Sequence, residues 1–203
     1  MKGYRIVFMG TPEFAIPTLA KIHQSRHQIV GIVSQPDRPR GRGKKLLPTP
    51  VKQFALEHNL APVLQPEKLK NPEFVQQLQA LAADVFVVVA YRILPEIVFT
   101  MPPNGTINLH PSLLPKYRGA APLNWTIING ETITGITSIF IQKEIDAGNI
   151  ILQREMPVFP SDTAGTLHDR LAAAGADLIV TSLDLTEKGV VTPQKQDDAL
   201  VTP

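Results

Sequence analysis

Apolar residues along this chain fall into short runs separated by segments of helical period. "YRIVFMG" (4–10), "HQIVGIVS" (27–34) and "ADVFVVVAY" (83–91) have strand length, and the last is an unbroken run, as in a parallel strand covered on both faces. "APVLQ" (61–65) and "GTINLH" (105–110) read as two further strands. Between them the pattern predicts helices. One spans 12–25, with Pro12 in its first turn, and one spans 50–59, opened by Pro50. A third spans 71–82, with Asn71 as N-cap and Pro72 at its first position. "GITSIFIQKEI" (135–145) and "NIILQREMPV" (149–158) read as two strands joined by the turn "DAGN". A long helix over 163–185 places Leu167, Leu171, Ala174 and Leu178 on one face. No internal repeat interrupts the series.

Alternating strands and helices around an apolar central strand predict an α/β fold with a doubly wound, mostly parallel, Rossmann-like sheet. We read residues 1–189 as a single domain and 190–203 as a terminal strand and tail. Ligands of such sheets sit beyond the C-terminal ends of the strands. The loops leaving strands there are "GTPEF", "SQPDRPRGRGKK" and "HPSLLPKYRG". The first lacks the G-x-G-x-x-G fingerprint, which argues against a dinucleotide.

Composition adds little until it is divided. The 203 residues are 43% hydrophobic and 19% charged, enough for an ordinary core, and no apolar run reaches membrane-spanning length. The chain enters "YRIVFMG" without a signal-peptide pattern, and it has no cysteine, so disulfides and thiolate metal sites are excluded. A cytoplasmic protein is the expectation. The formal net charge is only +2, but "PDRPRGRGKK" (36–45) holds five of the 20 basic residues and one of the 18 acids. Those five are Arg38, Arg40, Arg42, Lys44 and Lys45. The stretch is rich in glycine and proline and reads as neither helix nor strand. It reads equally as a solvated loop or as a basic loop suited to a polyanion.

"INLHPSLLPKYRGAAP" (107–122) is the stretch with chemistry in it. Alternate strand residues share a face, so Asn108 and His110 lie together with Leu109 opposite. Pro111 ends the ladder and leaves His110 at the strand's end. An amide and an imidazole placed there suit stabilisation and protonation of an oxyanion in acyl transfer. Asp146, in "EIDAGN", has the chemistry to orient His110 or to take a proton through water. Gly119 permits a close backbone approach. The same residues also read as a solvent-facing strand end and as a turn aspartate bonded to its own backbone. Ser112 lacks a nucleophile elbow. His23 and His27 straddle a helix end and read as surface residues, as do His58 and His168. Trp125 reads as core.

"GTPEFAIPTL", "QPDRPRGRGKKLLPTPVK", "INLHPSLLPKYRGAAPLNW", "NGETITGITSIFIQKEIDAGNII" and "DTAGTLHDRL" together resemble the 10-formyltetrahydrofolate-dependent formyltransferases, in family order over nearly the whole chain. The basic stretch is most similar to the branch acting on initiator methionyl-tRNA. The resemblance implies Asn108, His110 and Asp146 as the catalytic set and Ser112, Leu113, Leu114 and Pro115 as lining for the folate co-substrate. It implies contact of the basic stretch with the tRNA acceptor stem, and it requires no metal. It also implies a C-terminal β-barrel domain beyond this chain. The family has "AYG" before "ILP"; here "AYRILP" carries Arg92 and one residue fewer, in a loop the resemblance places beside the folate pocket. Two other readings stand beside this one. A sibling enzyme would formylate a small amine such as glycinamide ribonucleotide or an amino sugar, which suits the chain's length. A non-catalytic RNA-binding module would have no use for the three catalytic positions.

Overall fold

The first apolar run folds as strand β1 (Arg5–Gly10) in the computed structural model of the chain, which describes residues 3–40 and 45–202. The chain divides into two units, Met1–Thr106 and Ile107–Pro203. In the first, β1 leads through a 3-10 turn (Glu13–Ala15) into helix α1 (Ile16–His23) and strand β2 (Gln28–Val33). Short strands β3 (Arg38–Arg40) and β4 (Lys45–Leu47) follow, then helix α2 (Pro50–Glu57), strand β5 (Val63–Leu64) and helix α3 (Pro72–Ala80). Strand β6 (Val85–Val89) and the one-turn helix α4 (Glu96–Phe99) complete it. β1 pairs in parallel with β2 and β6, and β2 with β5. All five residues of β6 are buried, as its unbroken apolar run requires.

Local signals account for most boundaries. The Asn71 side chain caps α3 by accepting from Glu73 N at 3.0 Å, with Pro72 next in line. Thr49 caps α2 by accepting from Lys52 N at 3.2 Å. The helix expected from residue 12 begins later. Pro17 has no N–H to return to the Glu13 carbonyl, so residues 13–15 close as a 3-10 turn and the α-helix starts at Ile16.

The second unit holds β7 (Thr106–His110, its first residue in the first unit), helix α5 (Pro122–Ile128), β8 (Ile133–Phe140), β9 (Ile150–Pro157) and helix α6 (Ala164–Glu187). β8 pairs antiparallel with both β7 and β9. Apart from the separate two-stranded β3–β4 ribbon, three parallel and two antiparallel pairs keep the α/β architecture mostly parallel. Leu167, Leu171, Ala174 and Leu178 are buried on α6 as the period predicts. Gly175 on the same helix admits the Leu109 side chain, whose Cδ2 would lie 2.5 Å from a Cβ there. Among the described residues no helix is long and apolar enough to cross a membrane.

Four expectations need correction. The basic stretch is not a structureless loop: β3 and β4 pair antiparallel, with Pro39 opposite Leu46, on a two-stranded ribbon where a missing donor is tolerated. α5 was hidden because "PLNWTII" is only two turns long, and Trp125 on it is 46% exposed, because Pro122 and Thr126 form its buried face. His27 is 5% exposed, and its Nδ1 accepts from Tyr4 N at 2.9 Å. The terminal strand reduces to a single bridge, in which Gln194 and Ile150 exchange backbone hydrogen bonds of 2.7 and 2.8 Å.

A pH-sensitive carboxylate precedes the Thr163 N-cap of α6. The Asp162 carboxylate accepts from Phe159 N at 2.7 Å, Thr166 Oγ1 at 2.9 Å and Arg170 Nη1 at 2.5 Å. The Phe159 bond first, with the Arg170 and Thr166 bonds, holds it below the ordinary aspartate value against the opposing effect of burial. A depressed folded-state value means stability present above the unfolded value, about 3.9, and lost as pH falls through the folded one. Asp162→Asn is therefore expected to lower the urea midpoint at pH 7, and the gap to the parent to narrow below about pH 4. A gap of equal size at pH 7 and pH 3 would count against a stabilising role for the Asp162 charge.

Candidate active site

Asn108 and His110 sit at the end of β7, opposite Ile139 and Thr137 of β8. The chain then turns sharply, and nearly every polar group of the turn is satisfied from within. Ser112 N donates to His110 O at 3.0 Å and Ser112 Oγ to Lys116 O at 2.6 Å. Thr137 Oγ1 donates to Ser112 O at 2.7 Å and accepts from Leu114 N at 3.2 Å. Gln153 Nε2 donates to Leu114 O at 2.7 Å. These bonds explain how "SLLP" can leave a strand without remaining on the surface. They also redefine what it can offer a ligand: Ser112 and Leu114 are buried, and only Leu113 and Pro115 keep part of their surface.

Past this turn the backbone becomes left-handed at Tyr117 (φ 58°), Gly119 (φ 91°) and Ala121 (φ 56°). A Cβ at Gly119 would meet nothing within 4 Å, so glycine is required there for its conformation rather than for space. The twist aims two backbone groups at the site. Tyr117 O accepts from His110 Nε2 at 2.7 Å, and Gly119 N donates to Asp146 Oδ2 at 2.9 Å. The Tyr117 ring is held away, its hydroxyl donating to Glu131 Oε1 at 2.6 Å; burial and then that carboxylate push the phenol above its ordinary value.

Asp146 itself has φ 51° and comes from the turn between β8 and β9. Its carboxylate does not bond its own turn. Oδ1 lies 3.5 Å from Asn108 Nδ2, and Oδ2 lies 3.6 Å from His110 Nδ1. The structure therefore brings together the three residues that the sequence singled out. His110 is 4% exposed and its ring has one fixed role: a carbonyl only accepts, so Nε2 carries a proton to Tyr117 O. Nδ1 is the nitrogen left for chemistry. Its 3.6 Å separation from the carboxylate is longer than a hydrogen bond, leaving both groups able to engage a third.

Two glutamines shape this cluster and were not anticipated. Gln142 Nε2 donates to Ala147 O at 2.8 Å. Gln196 Nε2 donates to Asp146 O at 2.7 Å and to Gly148 O at 2.8 Å. Gln196 lies outside every stretch quoted for the family resemblance and Gln142 lies within one, but local sequence gives no sign that either amide reaches the turn.

The basic stretch belongs to the first unit and is anchored at its base. Lys52 Nζ donates to Asp37 Oδ2 at 2.5 Å and to Gln65 Oε1 at 2.7 Å. Gln65 Nε2 donates to Asp37 Oδ1 at 2.6 Å and to Gln35 O at 2.8 Å. Burial would raise the Asp37 carboxyl, but the Lys52 and Gln65 bonds outweigh it and hold the group below its ordinary value. The stretch's one acid is thus matched by a cation outside it. Arg38 is exposed; the side chains of Arg40 and Lys45, and the whole of Arg42 and Lys44, lie outside the described residues. In the same unit Arg92 is turned onto backbone, donating to Glu67 O at 2.9 Å and Pro66 O at 2.7 Å.

Known proteins bear on this geometry. The chain is 51% identical over 201 residues to a methionyl-tRNA formyltransferase of Geobacter sulfurreducens, covering 98% of this chain and 63% of the relative. It is 50% identical over 197 residues to one of Bacteroides thetaiotaomicron, covering 97% of this chain and 61% of the relative. It thus spans less than two thirds of the length of these relatives. Among solved structures, glycinamide ribonucleotide transformylase 1 of Symbiobacterium toebii superposes with a TM-score of 0.77 at 21% identity, covering 97% of this chain and 95% of its own. The phosphoribosylglycinamide formyltransferase of Anaplasma phagocytophilum gives a TM-score of 0.75 at 24% identity, covering 97% of each chain. At these identities the superpositions speak for the fold, and they carry the expected Rossmann-like formyltransferase fold. A sequence model described as formyl transferase matches residues 4–183, and the chain belongs to that family.

Proposed function

We propose that this protein transfers the formyl group of 10-formyltetrahydrofolate to the α-amino group of methionine on initiator methionyl-tRNA, in the cytoplasm. The observation that carries the reading is the convergence of Asn108, His110 and Asp146 on one point in a chain about half identical to methionyl-tRNA formyltransferases. In this reading the amine attacks the formyl carbon. The Asn108 amide and, with the ring in its imidazolium form, the second proton at His110 Nδ1 stabilise the oxyanion. The Asp146 carboxylate, fixed by Gly119 N, holds the imidazole and takes the amine proton through a water. The C–N10 bond then breaks, and that water or His110 protonates N10. The exposed edges of Leu113 and Pro115 face the folate, while Ser112 and Leu114 hold the turn in shape. Arg38, Arg40, Arg42, Lys44 and Lys45 contact phosphates of the tRNA.

The basic stretch supports this acceptor over a small amine, and it supplies the test. The chain is incubated with 10-formyltetrahydrofolate and a panel of acceptors: methionyl-tRNA, glycinamide ribonucleotide and an amino sugar nucleotide. Formylation of methionyl-tRNA is the expected result, and formylation of a small amine alone would overturn the reading. In parallel, Arg42→Ala combined with Lys44→Ala should weaken methionyl-tRNA binding and flatten its log–log salt dependence by roughly one unit per lost contact. Folding should be nearly unaffected, within about ±0.5 kcal/mol. Equal slopes for parent and double variant would remove the stretch from the tRNA interface.

A further inference from the structure

Beyond the residues 4–183 matched by the formyl transferase model, residues 191–201 run along the second unit mostly exposed, with one exception. Gln196 is 4% exposed. A buried glutamine in an exposed segment has a polar reason to be there, and all of its amide is engaged. The two Nε2 hydrogens go to Asp146 O and Gly148 O, at 2.7 and 2.8 Å. Oε1 accepts from Arg118 Nε at 3.0 Å. The first pair of bonds grips the turn that carries the Asp146 carboxylate. The third grips the residue preceding Gly119, whose N–H donates to that carboxylate. One side chain therefore ties together both sides of the Asp146–Gly119 contact. The segment is delivered by the Gln194–Ile150 bridge on one side, and by the bonds of Tyr117 N to Thr202 on the other.

We propose that Gln196 is a positioning residue for the active site: by clamping the 146–148 turn to the 118–119 backbone, it sets the distance from the Asp146 carboxylate to His110 and Asn108. The inference rests on the formyl-transfer reading for its kinetic consequence, though not for its geometry. Among the described residues, Gln196 is the side chain that bonds both Asp146 O and Gly148 O, the carbonyls on either side of Ala147. Asp146 sits in the left-handed region, which is uncommon for a non-glycine residue although aspartate tolerates it better than most. The Gln142 bond secures Ala147 O alone. Gln196 touches no reacting group, so its loss should move the carboxylate rather than remove chemistry. A displacement of about 1 Å in a catalytic group costs up to about 10²-fold in rate.

The test compares three proteins. Gln196→Met keeps the bulk and loses every hydrogen bond. Gln196→Glu keeps an acceptor for Arg118 and loses both donors to the turn, so it serves if the first variant folds poorly. Asp198→Ala cuts only the outer bond of the same tail, to Arg118 Nη2 at 2.9 Å. We expect kcat for formyl transfer to fall about 10- to 100-fold in either Gln196 variant with KM nearly constant, and to hold in Asp198→Ala. The NMR signals of the His110 ring should move in the Gln196 variants and stay in the control. This second readout needs no acceptor. If the parent formylates nothing in the panel, moved ring signals still uphold the clamp, and the functional reading alone falls. Parent-like ring signals in the Gln196 variants overturn the proposal, as does a kcat within about twofold of the parent.

Discussion

His110→Ala is expected to lower the rate of formyl transfer by on the order of 10²–10⁴-fold, the range for loss of a positioned acid–base group. The expectation follows from how the ring is held. Nε2 is committed to Tyr117 O, so Nδ1 is the nitrogen that can take up and return a proton beside the carboxylate. Alanine removes both interactions at once. It also leaves the Tyr117 carbonyl unpaired, at a cost of about 1–3 kcal/mol in stability, so the urea midpoint is measured beside turnover. Asp146→Asn separates the two effects. It keeps the acceptor for Gly119 N and the size of the side chain while removing the charge that faces His110. A similar fall in rate is expected with little change in folding. Turnover near the parent's, in single-turnover conditions at saturating folate, would take that residue out of the catalytic set.

The sequence spoke for parts of this site and was silent on others, for physical reasons. β6 was plain because five successive buried residues leave no room for a polar face. α3 was plain because Asn71 and Pro72 are both local start signals, and both act within two residues of themselves. Asn108 and His110 could be placed on one face because strand geometry is also local. Asp146 could be named only by its chemical type and by family resemblance, since what makes it useful is a fold-dependent approach across 38 residues. Gln196 is a harder case. A glutamine in a polar tail resembles any solvated residue, and its burial depends on carbonyls 48 and 50 positions away. Trp125 and His27 were misplaced for the mirror reason. An aromatic is not obliged to be core, and a histidine finds a buried place when a backbone N–H is aimed at its ring. The β3–β4 pair was missed because glycine and proline mask a two-stranded ribbon whose donors need few partners.

Gly148→Ala should be among the most damaging small substitutions, and it should damage stability and chemistry together. Its backbone does not demand glycine by sign of φ, because Gly148 is not in the left-handed region. It demands space. A Cβ on residue 148 would overlap the Phe140 carbonyl oxygen, an atom that cannot rotate away because it belongs to β8. Phe140 N donates to Asn149 O at 3.0 Å one residue further on, so relief of the overlap opens that bond. We expect a loss of about 3 kcal/mol, the upper end for overpacking, read as a lower urea midpoint with little change in slope. The same relief pushes the turn off β8 and strains the bond from Gln196 to Gly148 O. Asp146, two residues earlier, is carried with it. Turnover of the fraction still folded should therefore fall by tenfold or more, on the scale of a ~1 Å misplacement. Gly119→Ala makes the contrast. It meets no atom within 4 Å and suffers only from its φ of 91°, so its cost should be conformational and smaller, about 1–2 kcal/mol. A Gly148→Ala protein as stable as Gly119→Ala would show that the turn yields without cost, and that Asp146 is not held against His110 by the packing of its own hairpin.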